Sequence, residues 1–88
     1  IGDQRGQFAA WAAIGLYHDR RGDSTAALAA SERALALARS LGDAALECDA
    51  LSWMGTAFTH LGRHPEALAH QAASIAIARR EQDAARLG

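Results

Sequence analysis

Apolar residues recur every three or four positions along most of the chain, the spacing that places them on one face of an α-helix. Three glycines, Gly22, Gly42 and Gly62, interrupt this pattern. Glycine favours the left-handed conformation that follows a helix, and an Asp after the glycine can cap the next helix. The chain is therefore predicted to be all-α. The predicted helices span about residues 4–20, 24–41, 44–61 and 65–80.

The apolar side chains of the first three predicted helices recur at helical spacing, which indicates the faces that pack. Along the chain these side chains are Phe8, Trp11, Ile14, Leu16, Tyr17, Leu28, Leu35, Leu37, Leu46, Leu51, Trp53, Met54 and Phe58. Pro65 fits the first turn of the fourth helix, where its missing N–H costs nothing. Residues 82–88 look like the start of a fifth helix.

The chain resembles itself when it is shifted by forty residues. Gly2-Asp3 then aligns with Gly42-Asp43, and Gly15 aligns with Gly55. A fixed period between about 20 and 50 residues is typical of proteins built from stacked repeats. The chain is therefore predicted to form a single repeat domain. Its parts are a first repeat at about 2–41, a second at about 42–81, and residues 82–88 as the start of a third repeat or a C-terminal cap.

The residues that recur are those of a known repeat. The first copy has "WAAIG" at 11–15, then Gly22, Ala27-Leu28 and Ala34-Leu35, and the second has "LSWMG" at 51–55, then Gly62, Ala67-Leu68 and Ser74-Ile75. This pattern resembles the tetratricopeptide repeat over essentially the whole chain. It departs from that family in its period, which is about thirty-four in the family, and in Ser31 and Gln71, where the family usually has an aromatic. The longer period is similar to that of repeats in large bacterial regulatory proteins.

The resemblance implies a right-handed α-solenoid of two helix-turn-helix repeats. In it, small side chains let the paired helices approach closely. These positions are Gly15, Ala27, Ala34, Gly55, Ala67 and Ser74. The implied function is a non-enzymatic scaffold for binding a protein or peptide partner or for self-association, without a cofactor, inside a bacterial regulatory protein. The alternative is a peptide-sensing domain of a transcriptional or signalling regulator.

The family binds its partners in a concave groove lined by the first helix of each repeat. By this resemblance, the groove-facing residues are Ala9, Ala12, Leu16, Asp19, Arg20, Asp49, Ser52, Thr56, Thr59 and His60, with Trp53 beside them. Some members grip a C-terminal carboxylate there, but this chain has Ala12, Ala13 and Leu16 at the matching places. The surface that remains is smooth, with an acidic spot at Asp49. It could hold a helix, an extended peptide or a neighbouring segment of the chain, or it could serve as plain scaffold.

Composition narrows the possible partners. The 88 residues carry a net charge of −1, so neither nucleic acid nor an anionic membrane is an expected partner. No apolar run approaches the roughly 18 residues of a membrane span. The single cysteine, Cys48, excludes an internal disulfide and favours a reducing compartment such as the cytoplasm. The chain begins without Met and looks like a piece of a longer protein.

Histidines are the strongest candidates for chemistry, and each has a structural explanation. His60 and His64 have the spacing of a helical metal pair, but Gly62 interrupts the helix between them, so we expect a solvated turn. His18 and Asp19 are adjacent, so on a helix they point apart and form no dyad. His18 is expected to pack and His70 to be exposed. No metal site, cofactor site or nucleophile–base pair is predicted.

The remaining expectations concern packing. Cys48 aligns with Phe8 and is expected in the core, as is Trp11. The pairs Arg20-Arg21 and Arg79-Arg80 are expected at the C-terminal ends of helices, where positive charge is stabilising. Both ends of the stack should expose apolar surface through which copies could associate. The residues expected there are Phe8 and Trp11 at one end, and Ile75, Ile77 and Leu87 at the other.

Overall fold

A computed structural model describes residues 3–87, except for the side chain of Leu87. These residues contain no strand and form four helices, which confirms the all-α prediction. The helices are α1 (Gln4–Arg20), α2 (Ser24–Leu41), α3 (Ala44–His60) and α4 (His64–Leu87). None of these helices is both long and apolar enough to cross a membrane. The expectations about Gly2 and about the Leu87 side chain lie outside the described part.

The first three helices begin at aspartates. The side chains of Asp3, Asp23 and Asp43 each accept a hydrogen bond from a backbone N–H three residues later. This satisfies one of the N–H groups that a helix leaves free at its first turn. Gly22 and Gly42 precede two of these caps with φ angles of 77° and 65°, where an L-residue is strained. The predicted turns are thereby confirmed.

Asp43 also connects the helices. The guanidinium of Arg5 donates to its carboxylate at 2.8 Å and, together with the capping N–H of Leu46, holds the pKa of Asp43 below its ordinary value. Arg39 makes a second exposed contact, from α2 to Glu47 of α3, at 3.2 Å. Exposed pairs of this kind contribute little stability. The stability of α3 on its neighbours therefore comes mainly from apolar contacts, and the ion pairs affect chiefly its orientation.

The fourth helix is longer than predicted. It continues unbroken to Leu87, so residues 82–87 extend α4 and do not begin a fifth helix. The cause is local, because Gln82 stands where the repeat places Gly42, and glutamine favours the helix that glycine ends. Arg79 and Arg80 are therefore exposed side chains inside α4 and not, as predicted, at its end.

The helices pack in chain order: α1 on α2, α2 on α3 and α3 on α4. The small residues predicted at the contacts are all buried, namely Gly15, Ala27, Ala34, Gly55, Ala67 and Ser74. A Cβ atom added to Gly15 would lie 3.5 Å from the Cβ of Ala30, an ordinary van der Waals distance, so α1 and α2 are about one methyl group apart there. The Cα atoms form a slab of 42 × 36 × 16 Å, so every helix keeps an exposed side.

Larger side chains fill the space that these small residues leave. The buried ones are Phe8, Leu35, Leu51, Met54, Phe58 and Ile77. Among the predicted core residues, Trp11, Leu28, Leu37, Leu46 and Cys48 are partly buried against this cluster. Ile14 and Tyr17 share the apolar spacing of α1 but are exposed, as are Leu16 and Trp53, which the resemblance assigned to the groove or beside it. Ile14, Leu16 and Tyr17 lie on α1, which packs mainly on one neighbour and therefore buries only a narrow stripe.

Most of the residues expected to form exposed apolar ends are buried or half-buried in the structure. Phe8 and Ile77 belong to the core, and Trp11 is half-buried, so these three do not form exposed end surfaces. Ile75 is exposed, as expected.

Two isoleucines of α4 give a matched test of this packing. Ile77 is 7% exposed and Ile75 is 53% exposed, although they lie two residues apart. Ile77→Ala should lower the free energy of unfolding by about 2–4 kcal/mol, because it opens a cavity in the core. Ile75→Ala should change it by about 0.5 kcal/mol or less. Urea unfolding followed by circular dichroism measures both, and similar losses at both positions would contradict this burial of α4.

Candidate binding groove

A groove of about 280 Å³ lies between α1 and α3, with α2 as its floor. Trp11 and Leu16 of α1 and Trp53 of α3 supply the large side chains of its walls, and Ala27 and Ser31 of α2 form the floor. The other lining residues are Ala12, Ala13, Gly15, Asp19, Thr56 and Ala57. The groove is therefore mostly apolar, with its few polar groups on the walls and floor.

Helical spacing produces the walls. Ala12, Leu16 and Asp19 follow one another at intervals of four and three along α1, and Trp53 and Thr56 lie three residues apart on α3, so each set shares a helix face. Gly15 rests against α2 beneath this face, which places the α1 wall directly on the floor.

The floor is open because its side chains are small. Ser31 is buried, and its hydroxyl donates to the backbone oxygen of Ala27 at 2.9 Å. Its single donor is therefore engaged within its own helix, while its oxygen can still accept a hydrogen bond from an occupant. A bulkier side chain at Ser31 would reduce the space between the two walls.

Both tryptophans of the chain line this groove. The ring of Trp53 lies 5.7 Å from that of Phe8, centre to centre, and Trp53 remains 37% exposed. The guanidinium carbon of Arg33 lies 5.6 Å from the ring centre of Trp11, within the range of a cation–π contact. Trp11, expected in the core, thus packs on the core and also lines the groove.

One contact joins the two walls directly. His60 Nδ1 lies 3.3 Å from the Oδ1 atom of Asp19, which also lines the groove. Both side chains are substantially exposed, so the pair adds little stability even when the imidazole is protonated. The contact matters for the relative position of the helices, because it links α1 to α3 beside the groove.

Six residues predicted to face the groove lie outside its lining, namely Ala9, Arg20, Asp49, Ser52, Thr59 and His60. Ser52 points towards α4, where its hydroxyl lies 3.1 Å from that of Ser74. Thr59 donates to the backbone oxygen of Gly55 in its own helix. Arg20 and Asp49 are exposed but do not line the groove. Whether any of these side chains contacts a partner stays a prediction.

Ala12, Leu16, Asp19, Trp53 and Thr56 were predicted to lie at or beside the groove, and all five line it. Ala13, which the resemblance also placed in the groove, lines it too; sequence reasoning missed the floor and parts of the walls, namely Trp11, Gly15, Ala27, Ser31 and Ala57. For Trp11 a signal was available, because the chain has only two tryptophans and tryptophan is common at binding sites. No sequence signal marks the floor, because Ala27 and Ser31 line the groove only where α1 and α3 leave α2 uncovered.

The remaining candidate residues have structural contacts. Cys48 is half-buried, and its thiol donates to the backbone oxygen of Ser74 across the α3–α4 contact. His70 was expected to be exposed but is half-buried, with its ring 4.9 Å from that of Phe58. His18 is also half-buried and packs edge-on against Tyr17. Over residues 3–87, no three His, Cys, Asp or Glu side chains come close enough to hold a metal ion.

Comparison with family models, with curated proteins and with solved structures found no match to this chain. The function is therefore argued from the groove and from the repeat.

Single-tryptophan variants test the exposure of the groove walls. Trp11→Phe leaves Trp53 as the only tryptophan, and Trp53→Phe leaves Trp11. Acrylamide should quench the fluorescence of Trp53 more strongly, because Trp53 is more exposed than Trp11. Far-UV circular dichroism confirms that both variants stay folded. Stronger quenching of Trp11, or none of either residue, would contradict the groove geometry.

Proposed function

We propose that the chain is a protein-interaction module of the tetratricopeptide type, and that the groove between α1 and α3 binds a peptide segment of a partner protein. The observation that carries this proposal is an apolar groove with a tryptophan on each wall and small residues on its floor. Aromatic side chains supply much of the binding energy at protein interfaces. In this proposal the chain binds without catalysing a reaction and needs no cofactor.

The proposed architecture is a right-handed solenoid of two helix pairs, α1–α2 and α3–α4. Its support is the forty-residue period, the packing of the helices in chain order and the burial of small residues at aligned positions in both pairs. The proposed setting, a bacterial regulatory protein, is supported by the resemblance of the repeat, and the proposed compartment, the cytoplasm, by the single cysteine.

The size of the groove favours one side chain as its occupant. At about 280 Å³ it lies just below the usual range of pockets that enclose a whole small molecule. An aromatic ring fits this space better than a charged side chain, because most of the lining is apolar. The proposed ligand is thus a peptide with an exposed aromatic anchor, in helical or extended form.

A sensor could use the same groove. The contact between Asp19 and His60 spans the two walls, so an occupant that separated α1 from α3 would break it. Binding would then change the relative position of the two helices, which is the signal that a peptide-sensing domain must pass on.

A fluorescence titration tests the proposed function. A short alanine-based peptide with one phenylalanine should change the tryptophan emission and bind with a Kd between about 10 μM and 1 mM. The same peptide with serine at the anchor position should not. Leu16→Glu places a charge on the groove wall and should weaken binding at least about tenfold, which is about 1.4 kcal/mol. Leu68→Glu, at an exposed site on α4 outside the groove, is the matched control.

Two results would contradict the proposal. One is equal binding by the Leu16→Glu and Leu68→Glu proteins. The other is an emission spectrum that no anchored peptide alters, in a protein that remains folded.

A further inference from the structure

Positions forty residues apart are alike in sequence but differ in burial. In the second helix of each pair, Leu35 is buried, whereas the aligned Ile75 is 53% exposed. Leu28 is half-buried, whereas the aligned Leu68 is 71% exposed. The neighbours explain the difference, because α2 packs on both α1 and α3, while α4 packs on α3 alone. The residues exposed on α4 thus correspond to those that α3 covers on α2.

The first helix of each pair shows the same difference from the other side. Met54 and Ala57 of α3 are buried, whereas the aligned Ile14 and Tyr17 of α1 are 40% and 56% exposed. Here α3 packs on both α2 and α4, while α1 packs chiefly on α2. The residues exposed on α1 thus align with buried residues of α3, which packs on a second helix.

The two outer faces of one chain therefore correspond to the two sides of the α2–α3 contact inside that chain. The outer face of α4 (Leu68, Ile75) corresponds, by the forty-residue shift, to the face of α2 in the α2–α3 contact, and the outer face of α1 (Ile14, Tyr17) corresponds to the face of α3, with the larger Tyr17 in the place of Ala57. We propose that the outer face of α4 binds the outer face of α1 in a second copy of this chain, with the packing of α2 on α3. This goes beyond the proposed function, since it does not involve the groove.

Polar groups at the edge are compatible with this packing. In the α2–α3 contact, Arg39 donates to Glu47 at 3.2 Å. The aligned residues are Arg79 on α4 and Gln7 on α1, both exposed. The amide oxygen of Gln7 can accept from a guanidinium, so the second copy would meet Arg79 without a charge conflict.

The proposed contact joins two different faces, so it leaves one free face on each copy. Contacts of this kind continue from copy to copy and do not close as a symmetric dimer. Wild-type protein should therefore increase gradually in molar mass as its concentration rises. A symmetric pairing of two α4 helices would stop at the dimer, and this separates the two arrangements.

A complementation experiment tests the proposal. Ile75→Glu blocks the outer face of α4, and Ile14→Glu blocks the outer face of α1. Both side chains are exposed, and glutamate favours a helix more than isoleucine, so each variant should fold, as circular dichroism can verify. Light scattering from about 10 μM to about 1 mM, a range that spans weak association, should find each variant monomeric. An equimolar mixture should form a dimer and no larger species, because each variant keeps the face that the other lacks.

Three results would overturn the proposal: wild-type protein that stays monomeric throughout, a mixture that stays monomeric, or a single variant that associates as the wild type does. Leu16→Glu is the control, because it alters the groove and should leave association intact. Conversely, Ile75→Glu should bind the phenylalanine peptide as the wild type does. Loss of association and loss of groove binding are thus measured separately.

Discussion

Close contact between successive helices, made possible by glycine, alanine and serine at the contact positions, determines most other features of this molecule. Only about one methyl group of space separates Gly15 on α1 from Ala30 on α2, and Ala34 and Ala38 are fully buried on α2. Small side chains bury little apolar area each, so stability depends on a few large ones such as Phe58 that fill the remaining space. The groove is a consequence, because α1 and α3 rest closely on α2 without filling the space above it.

Local signals explain why the helix boundaries could be predicted. The glycines and aspartates between helices act within a few residues, so α1 and α2 match the prediction and α3 ends one residue earlier. The same rule explains the error in α4, where Gln82 replaces the glycine that would end the helix. The exposure of Ile14 and Tyr17 could not be predicted in this way. Apolar spacing shows that a residue suits a contact, but not whether a neighbouring helix is present to make it.

Residues of the groove walls could be predicted from the sequence, but those of its floor could not. Leu16 and Trp53 lie on the helices that the repeat pattern assigned to the groove, so their positions followed from spacing. Ser31 belongs to α2, and it lines the groove only because the helix–helix contacts leave it uncovered. If copies associate through the proposed faces, α3 and the α1 helix of the next copy would flank a second groove. Gln71 would then stand where Ser31 stands in the first, so the two grooves would differ in depth.

Amide hydrogen exchange, measured residue by residue in dilute protein, tests the packing order most directly. Exchange reports how often each part of a helix opens, and helices covered on two sides should open least. We expect the slowest exchange in α2 and α3, and fast exchange in α4 from residue 78 onward, where every described side chain is exposed. Protection of residues 78–86 equal to that of α2 would contradict the account, as would faster exchange in α2 and α3 than in α1.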